Sequence, residues 1–491
     1  MSKKVIIIGA GLSGLTSAAL LAQKGFSVTV LEKQSIPGGV ARNINLEGYT
    51  FDMGPTWYLM PEIYEDFFSK FGKKTTDFYE LEHLEPSYKI WFENQSHCLI
   101  HHDAEKNYRL FDSFEENGGK KLNEFLENSA MKYNIAVNDF IHKDFRHIFQ
   151  LMSPKTIIQG LKLNVFSKLD NFVGKYFSDH RCKKILTFNT VFLGSSPYKT
   201  PALYSLMAHA DFTQGVFFPK GGIYQLVSAI HKIGEKEGVE FQFNTTAQKI
   251  IVNDNKTTGV QSDKGFYPAD VVLSSADYHH SETKLLEKKY RNYSDKTWNR
   301  HIMAPSTFIL FLGVKKKLPA MIHHNFYFAE NWKEHFTSIF DKPAWPDNPS
   351  YYVGVPSRTD PRMAPENCES LFILVPVAPG LDDNDEIRKQ FADKILSHFE
   401  NLLGENIKDH IQVKKIISHR DFIENNHIFK GASLGLSHTL FQTAFLRPSH
   451  WNKKLANLYY VGHHTQPGIG MPMQIIGGKM VAEHIINEHG Q

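Results

Sequence analysis

The sequence predicts an α/β fold built around a strand–turn–helix–strand unit, and three observations predict it. Val5–Ile8 is a short, β-branched apolar run; Gly9, Gly11 and Gly14 follow it as G-x-G-x-x-G and lead into a small-residue helix from Leu12; a second apolar run, Val28–Leu31, ends at Glu32. Glu32 stands at the separation from the first glycine that such a unit needs to bring a carboxylate onto a ribose hydroxyl. The glycines serve separate ends, namely a tight turn, room for a pyrophosphate on the helix N-terminus, and close helix–strand packing. The combination reads as a Rossmann-like dinucleotide site, and an acid at position 32 in place of a basic residue points to an unphosphorylated adenosine ribose.

Composition narrows the class. With 491 residues and 42% apolar content the chain holds about three domain-sized units with packed cores. A net charge of +3 is too small to imply nucleic acid. Lys3 and Lys4 followed by apolar residues imitate a secretory signal, but the regular glycines and the strand ending at Glu32 argue for a folded β-α-β unit. No run reaches about eighteen uninterrupted apolar residues, so no spanning helix is expected. Cys98, Cys182 and Cys368 lack metal-ligand or redox spacing, which fits a reducing cytoplasm. Phenylalanine, at 37 residues, outnumbers tyrosine and tryptophan together, as either a Phe-rich core or an apolar substrate tunnel would require.

After Glu32 the chain continues KQSIPGGVARN, then reaches Gly54-Pro55-Thr56-Trp57. A nicotinamide site does not need this continuation, whereas a flavin dinucleotide, longer and lying deeper, can use it. Arg42 would serve the phosphates, Gly38 and Gly39 backbone contact, and Pro55 to Trp57 the isoalloxazine. At the far end, LYYVGHHTQPGIGMPMQIIGGKMVAEHI breaks a strand-like run into a turn at Gly462, Gly468 and Gly470 and then a helix with Pro472 in its first turn. The free N–H groups of that helix would face something electron-rich.

The opening unit, EKQSIPGGVARN, the mid-chain FFPKGGIYQLVSAI and the closing KGASLGLSHTLFQTAFLRPSHWNKKLANLYYVGHHTQPGIGMP together resemble the phytoene desaturase-type carotenoid desaturases. These are a branch of the FAD-dependent, amine-oxidase-like fold, and the resemblance is closest to bacterial carotenoid 3,4-desaturases acting on hydroxylated or monocyclic carotenoids. It implies noncovalent FAD held by Gly9, Gly11, Leu12, Ser13 and Gly14 at the pyrophosphate, Glu32 at the ribose, and Gly39, Val40 and Arg42 on the phosphate side, with Lys33 also binding the cofactor. Pro55, Thr56 and Trp57 would lie near the flavin, Ala247 would bracket the adenine, Gly470, Met471 and Pro472 would lie at the flavin ring, and Gly462 would be a further cofactor-binding residue. It implies a carotenoid substrate that loses hydrogen to the flavin, and oxygen or a quinone as the final acceptor. A second G-x-G-x-x-G does not follow a strand, so no NAD(P) site is expected.

The reacting side chains are less legible. His463 and His464 precede the closing turn and, on a strand, only one of them can face the flavin; His464 is one candidate. Asp144 and Arg146 fall where related desaturases carry charged residues suspected of chemistry, and surface charge is the alternative. His101-His102, His279-His280 and His323-His324 have no metal spacing, and no metal is expected.

The segment Ser153 to Phe177 interleaves Lys155, Lys162, Lys168 and Lys175 with Ile157, Ile158, Leu161, Val165, Phe166, Leu169 and Phe172. It reads either as a basic stripe on a headgroup layer or as an amphipathic helix packed on its own domain. An enzyme that collects a water-insoluble carotenoid is expected to lie peripherally on the cytoplasmic face of a membrane. The expected organisation is a non-contiguous FAD-binding domain (1–90, 215–290 and 430–491), a mainly helical membrane-facing region (91–214) and an inserted β-rich substrate domain (291–429). Other polyene desaturases, a flavin-dependent polyene isomerase or saturase, and a non-redox prenyl-binding carrier on the same fold remain alternatives.

Overall fold

A computed structural model describes residues 2–143, 158–160, 162–443 and 446–490. Asp144 and Arg146 lie outside these residues, as do Lys155, Ile157 and Leu161. The first strand, β1 (Lys4–Ile8), the first helix, α1 (Leu12–Gln23), and the second strand, β2 (Ser27–Leu31), form the expected unit. β1 lies at the centre of a five-stranded sheet in the order Leu458–Tyr460, Val271–Ser274, β1, β2, Glu240–Gln242, every pair parallel. Parallel strands need crossovers, so this sheet gathers pieces from both ends and the middle of the chain.

The second large sheet has seven strands, ordered Ile411–Ile417, Ser306–Val314, Glu369–Val377, Tyr351–Gly354, His324–Phe328, Tyr88–Phe92, His97–Ile100. Its pairs are antiparallel except that of His324–Phe328 with Tyr88–Phe92. Ser306–Val314 reads as an unbroken apolar run because both faces of the sheet are covered. Phe308, Leu310, Leu312 and Val314 pack with Phe391, Ile395 and Phe399 of the long helix Asp385–Leu403. Ile309 and Phe311 point the other way, into a core shared with Phe111, Phe125 and Phe188 of the helical region. Most phenylalanines therefore make core.

Two of these strands sit differently from the expected organisation. The boundary at 90 cuts through Tyr88–Phe92, and His97–Ile100, expected within the helical region, is an edge strand of the seven-stranded sheet. Both strands are needed to extend a sheet that would otherwise stop at His324–Phe328 with an open edge. The basic segment is also not one continuous helix. Leu169 and Phe172 of the short helix Leu169–Val173 are core residues, Lys162, Lys168 and Lys175 are exposed, and Phe166 between them is 82% exposed. Among the described residues no helix is long and apolar enough to cross a membrane.

Candidate functional site

One cavity of about 1100 Å³ runs between the two sheets. At one end it is walled by backbone. Gly9 turns with φ 94°, and Gly38 donates its N–H to Ala10 O at 2.7 Å, bringing the Gly38-Gly39 turn against Gly11. A Cβ on Gly39 would stand 3.4 Å from the Gly11 Cα, and one on Gly14 would stand 2.4 Å from Gly9 O and 2.9 Å from Ser275 Oγ. Gly14 is thus the close-packing glycine, lying beneath the cavity rather than lining it. On the far side of α1, a Cβ on Gly478 would stand 2.7 Å from Ser13 O, so the closing helix Met471–His489 nests directly on α1.

Glu32 is buried at the end of β2, and its carboxylate accepts N–H bonds from Ala10 at 2.7 Å and Gln34 at 2.9 Å. These bonds aim a fixed acceptor at the cavity before anything binds. Gly11 caps α1 and Gly470 (φ 109°) caps the closing helix, neither with a side chain. The first N–H groups of a helix have no acceptor within it and carry about half a positive charge. Two such ends open into one cavity.

Of the residues expected at the cofactor, Gly9, Gly11, Leu12, Ser13, Glu32, Lys33, Gly39, Val40, Pro55, Thr56, Trp57, Ala247, Gly462, Gly470, Met471 and Pro472 line this cavity. Arg42 does not. It stands behind the turn, where Nε donates to Gly39 O at 2.8 Å, so it braces backbone. His464 does not line the cavity either: the turn after strand Leu458–Tyr460 points it inward, where Nε2 meets Asp277 Oδ2 at 2.9 Å, while His463 and Asp277 line the wall.

The same Asp277 oxygen stands 3.7 Å from His463 Nε2 and accepts the Phe429 N–H, and Oδ1 accepts that of His280. Burial works against the Asp277 charge, but the two histidines outweigh it and hold the carboxyl well below the usual carboxylate range. Burial, reinforced by His463, lowers His464 to about 4, so at neutral pH the pair is a carboxylate accepting from a neutral imidazole. Among the described residues this is the one group of three possible metal-ligand atoms within 4.8 Å of each other, and its geometry is that of a hydrogen-bonded pair.

Sequence reasoning missed the segment that closes the nucleotide end. Helix His419–Asn426 comes from the stretch expected to be substrate domain, yet Asn425, Asn426 and His427 line the cavity. Lys33 Nζ reaches His427 Nε2 at 3.1 Å, Gln34 donates to Asn425 O, and the His427 ring stacks on His280 at 4.2 Å. No spacing motif signals it, because the contacts join segments distant in sequence. The mid-chain glycines do something different. Gly221 donates to Asp360, Gly222 to Pro219 O, and the N–H groups of Ile223 and Tyr224 go to Asp52, so this turn anchors a helix and contributes nothing to the cavity.

Beyond Trp57 the cavity is mainly apolar. Leu163, Phe192, Leu206, Ile309, Leu374 and Ile469 are among its walls, and no carboxylate lines this half among the described residues. It ends at Phe166, Phe441, Leu446 and Leu440, which are 82%, 80%, 43% and 36% exposed and so form a mouth.

The shape fits a dinucleotide carrying a redox ring at one end and a long apolar molecule at the other, and comparison with known proteins agrees. The model of the flavin containing amine oxidoreductases matches residues 12–486. The carotenoid 3,4-desaturase of Haloarcula japonica is 37% identical over 489 residues, covering 99% of this chain and 98% of its own. The 1-hydroxycarotenoid 3,4-desaturase of a Flavobacterium species is 30% identical over 492 residues, covering 99% of each. Putrescine oxidase shares the fold, with a TM-score of 0.65 at 14% identity over 99% of both chains. The donor set suits FAD: glycine cradle, ribose acceptor, two open helix ends and, with none of the three cysteines in the wall, no thiol to bond it.

Proposed function

The chain belongs to the flavin-containing amine oxidoreductase family and within it to the carotenoid desaturases, and from that premise we propose the reaction: an FAD-dependent desaturation at an acyclic carotenoid end, at the 3,4 bond of a hydroxylated or monocyclic carotenoid. The observation that carries this reading is the continuity of one cavity from the Glu32 ribose acceptor, past the Gly470 helix end, into an apolar passage long enough to have its own mouth. A saturated carbon pair beside a polyene gives up a hydride, with its two electrons, and a proton. Bound FAD supplies the two-electron acceptor for the hydride.

The chain does the rest. The helix beginning at Met471 favours negative charge at its N-terminus, the apolar walls align the polyene, and the polyene spreads the positive charge left behind. With no carboxylate among the described residues of that half, the proton goes to water, a weak base or the reduced cofactor. Oxygen or a membrane quinone then takes the electrons, and no NAD(P) takes part.

The mouth supports peripheral attachment to the cytoplasmic face of a membrane. Phe166 and Phe441 stand in solvent at the entrance, with the exposed Lys162 and Lys168 close to Phe166 in sequence. Aromatic side chains flanked by lysines suit a headgroup layer. Replacing Phe166 and Phe441 by glutamate is expected to abolish co-sedimentation with anionic liposomes while FAD content stays unchanged; undiminished sedimentation would refute the attachment.

The reaction is tested by giving the anaerobic FAD-loaded enzyme a panel of acyclic, hydroxylated, monocyclic and cis carotenoids and identifying products. Flavin bleaching with one new double bond per two-electron reduction is expected from a 3,4-saturated end. Isomerisation without bleaching, or a colourless protein that carries prenyl chains, would overturn the reading.

A further inference from the structure

Arg447 is 3% exposed, and each nitrogen of its guanidinium donates to a backbone carbonyl. Nε donates to Thr465 O at 3.1 Å, one terminal nitrogen to Gln442 O at 3.1 Å and Leu436 O at 3.4 Å, and the other to His463 O at 2.6 Å and Leu436 O at 3.4 Å. Among the described residues no carboxylate lies within ion-pair distance of it. Burial lowers its pKa to about 10, which leaves it protonated at neutral pH. His438 beside it is pushed down to about 3, by burial first and by Arg447 second, so it is neutral and adds no counter-charge or charge.

A buried cation without an anion is costly, and four carbonyl dipoles solvate it without cancelling its net charge. Its position gives that charge a use. His463 and Thr465, whose carbonyls it holds, belong to the closing turn that lines the cavity, and a Cβ added to Gly468 in the same turn would come within 3.5 Å of the guanidinium carbon and 2.3 Å of His438 Nε2. In a dry interior a unit charge acts over several ångströms with little screening. The helix end at Gly470, which lines the cavity, supplies only about half a charge.

We propose that Arg447 is a positioning residue that also acts electrostatically. It holds the 462–468 turn in place and supplies the uncompensated positive charge that raises the electron affinity of the flavin bound there. The inference rests on the flavin reading. It explains why a full cation is buried where hydrogen bonds alone could be met by neutral groups.

The test uses the FAD-loaded protein and sulfite, a nucleophile that adds to oxidised flavin and leaves the ring anionic, so that its affinity reports positive charge nearby. Wild-type protein is expected to bind sulfite far more tightly than free FAD does, and equal binding overturns the inference without any variant. Arg447→Gln is expected to weaken sulfite binding about tenfold or more and to lower the flavin midpoint potential, whereas Arg447→Lys, which keeps charge but loses most of the bonds, stays within about threefold. His438→Glu, which places a carboxylate beside the retained guanidinium, is expected to weaken sulfite binding as the glutamine variant does. Glutamine and lysine variants that behave alike, or a His438→Glu protein with wild-type sulfite affinity, would assign Arg447 a purely structural role. If Arg447→Gln does not accumulate folded, the other two variants and the wild type decide. A folded chain that takes up no FAD at all defeats the flavin reading instead.

Discussion

The two ends of the cavity are built from different materials. The nucleotide end is made by backbone: Gly9, Gly11, Gly38 and Gly39 bring main chain to the surface, and Glu32 is held by two N–H bonds. The apolar end is made by side chains such as Leu163, Phe192, Ile309 and Leu374, drawn from the helical region and the seven-stranded sheet. A backbone-built site requires particular residues, because only glycine permits the approach. A side-chain-built site requires volume and shape, which many combinations satisfy.

That contrast can be broken at either end. Gly14→Val has the largest expected effect. Its side chain would collide with Gly9 O, an atom that cannot yield, so the variant should accumulate without FAD, with the flavin-to-protein absorbance ratio near zero and a stability loss of about 3 kcal/mol or more. A variant with normal flavin content would refute the close-packing role. Leu374→Trp, at the other end, should leave FAD affinity within about twofold while turnover of a long carotenoid falls more than about tenfold, since it removes cavity volume and no cofactor contact. Loss of flavin in parallel with turnover would show that the two ends are not separable.

Glu32→Gln keeps one carbonyl acceptor in place of a carboxylate serving two N–H groups, and FAD dissociation is expected to rise about tenfold, read by flavin fluorescence on release, with polyene binding unchanged. The most gradual effect is in pH. His464 has its folded pKa depressed to about 4 against an ordinary value near 6.5, so between those values the unfolded chain binds a proton that the folded chain refuses. Stability therefore falls as pH drops from about 6.5 toward 4, by up to about 3 kcal/mol from this residue, and the Asp277 carboxylate it faces stays ionised throughout that window because its own pKa is lower still. Urea unfolding of His464→Asn should show a shallower slope across this window; an unchanged slope would remove His464 as its source.

Arg42 and His464 show where sequence reading stopped. Both residue types suit a flavin site, and both lie next to it in sequence. Yet Arg42 braces the Gly39 carbonyl from behind, and His464 faces Asp277, 187 positions away, on the inner side of the closing turn. Spacing identifies which backbone turns, but not which side of a turn a long side chain takes. His427 carried no local signal, and Arg447, though within the closing segment that carries the resemblance, had no role assigned there, since their roles come from contacts with Lys33 and with the closing turn.

The sequence by itself determined the parts whose requirements are local. Glycine spacing, an acid at the end of β2, apolar runs of strand length and a proline at the start of the last helix act within a few residues of themselves, and each is found where its chemistry puts it. Tertiary structure alone decided that strands Tyr88–Phe92 and His97–Ile100 extend the seven-stranded sheet, that residues 425–427 close over the glycine-walled end of the cavity, and that Phe166 and Phe441 line one mouth. Those outcomes depend on burying sheet edges and apolar faces against partners hundreds of residues away, and that pairing is settled only when the whole chain packs.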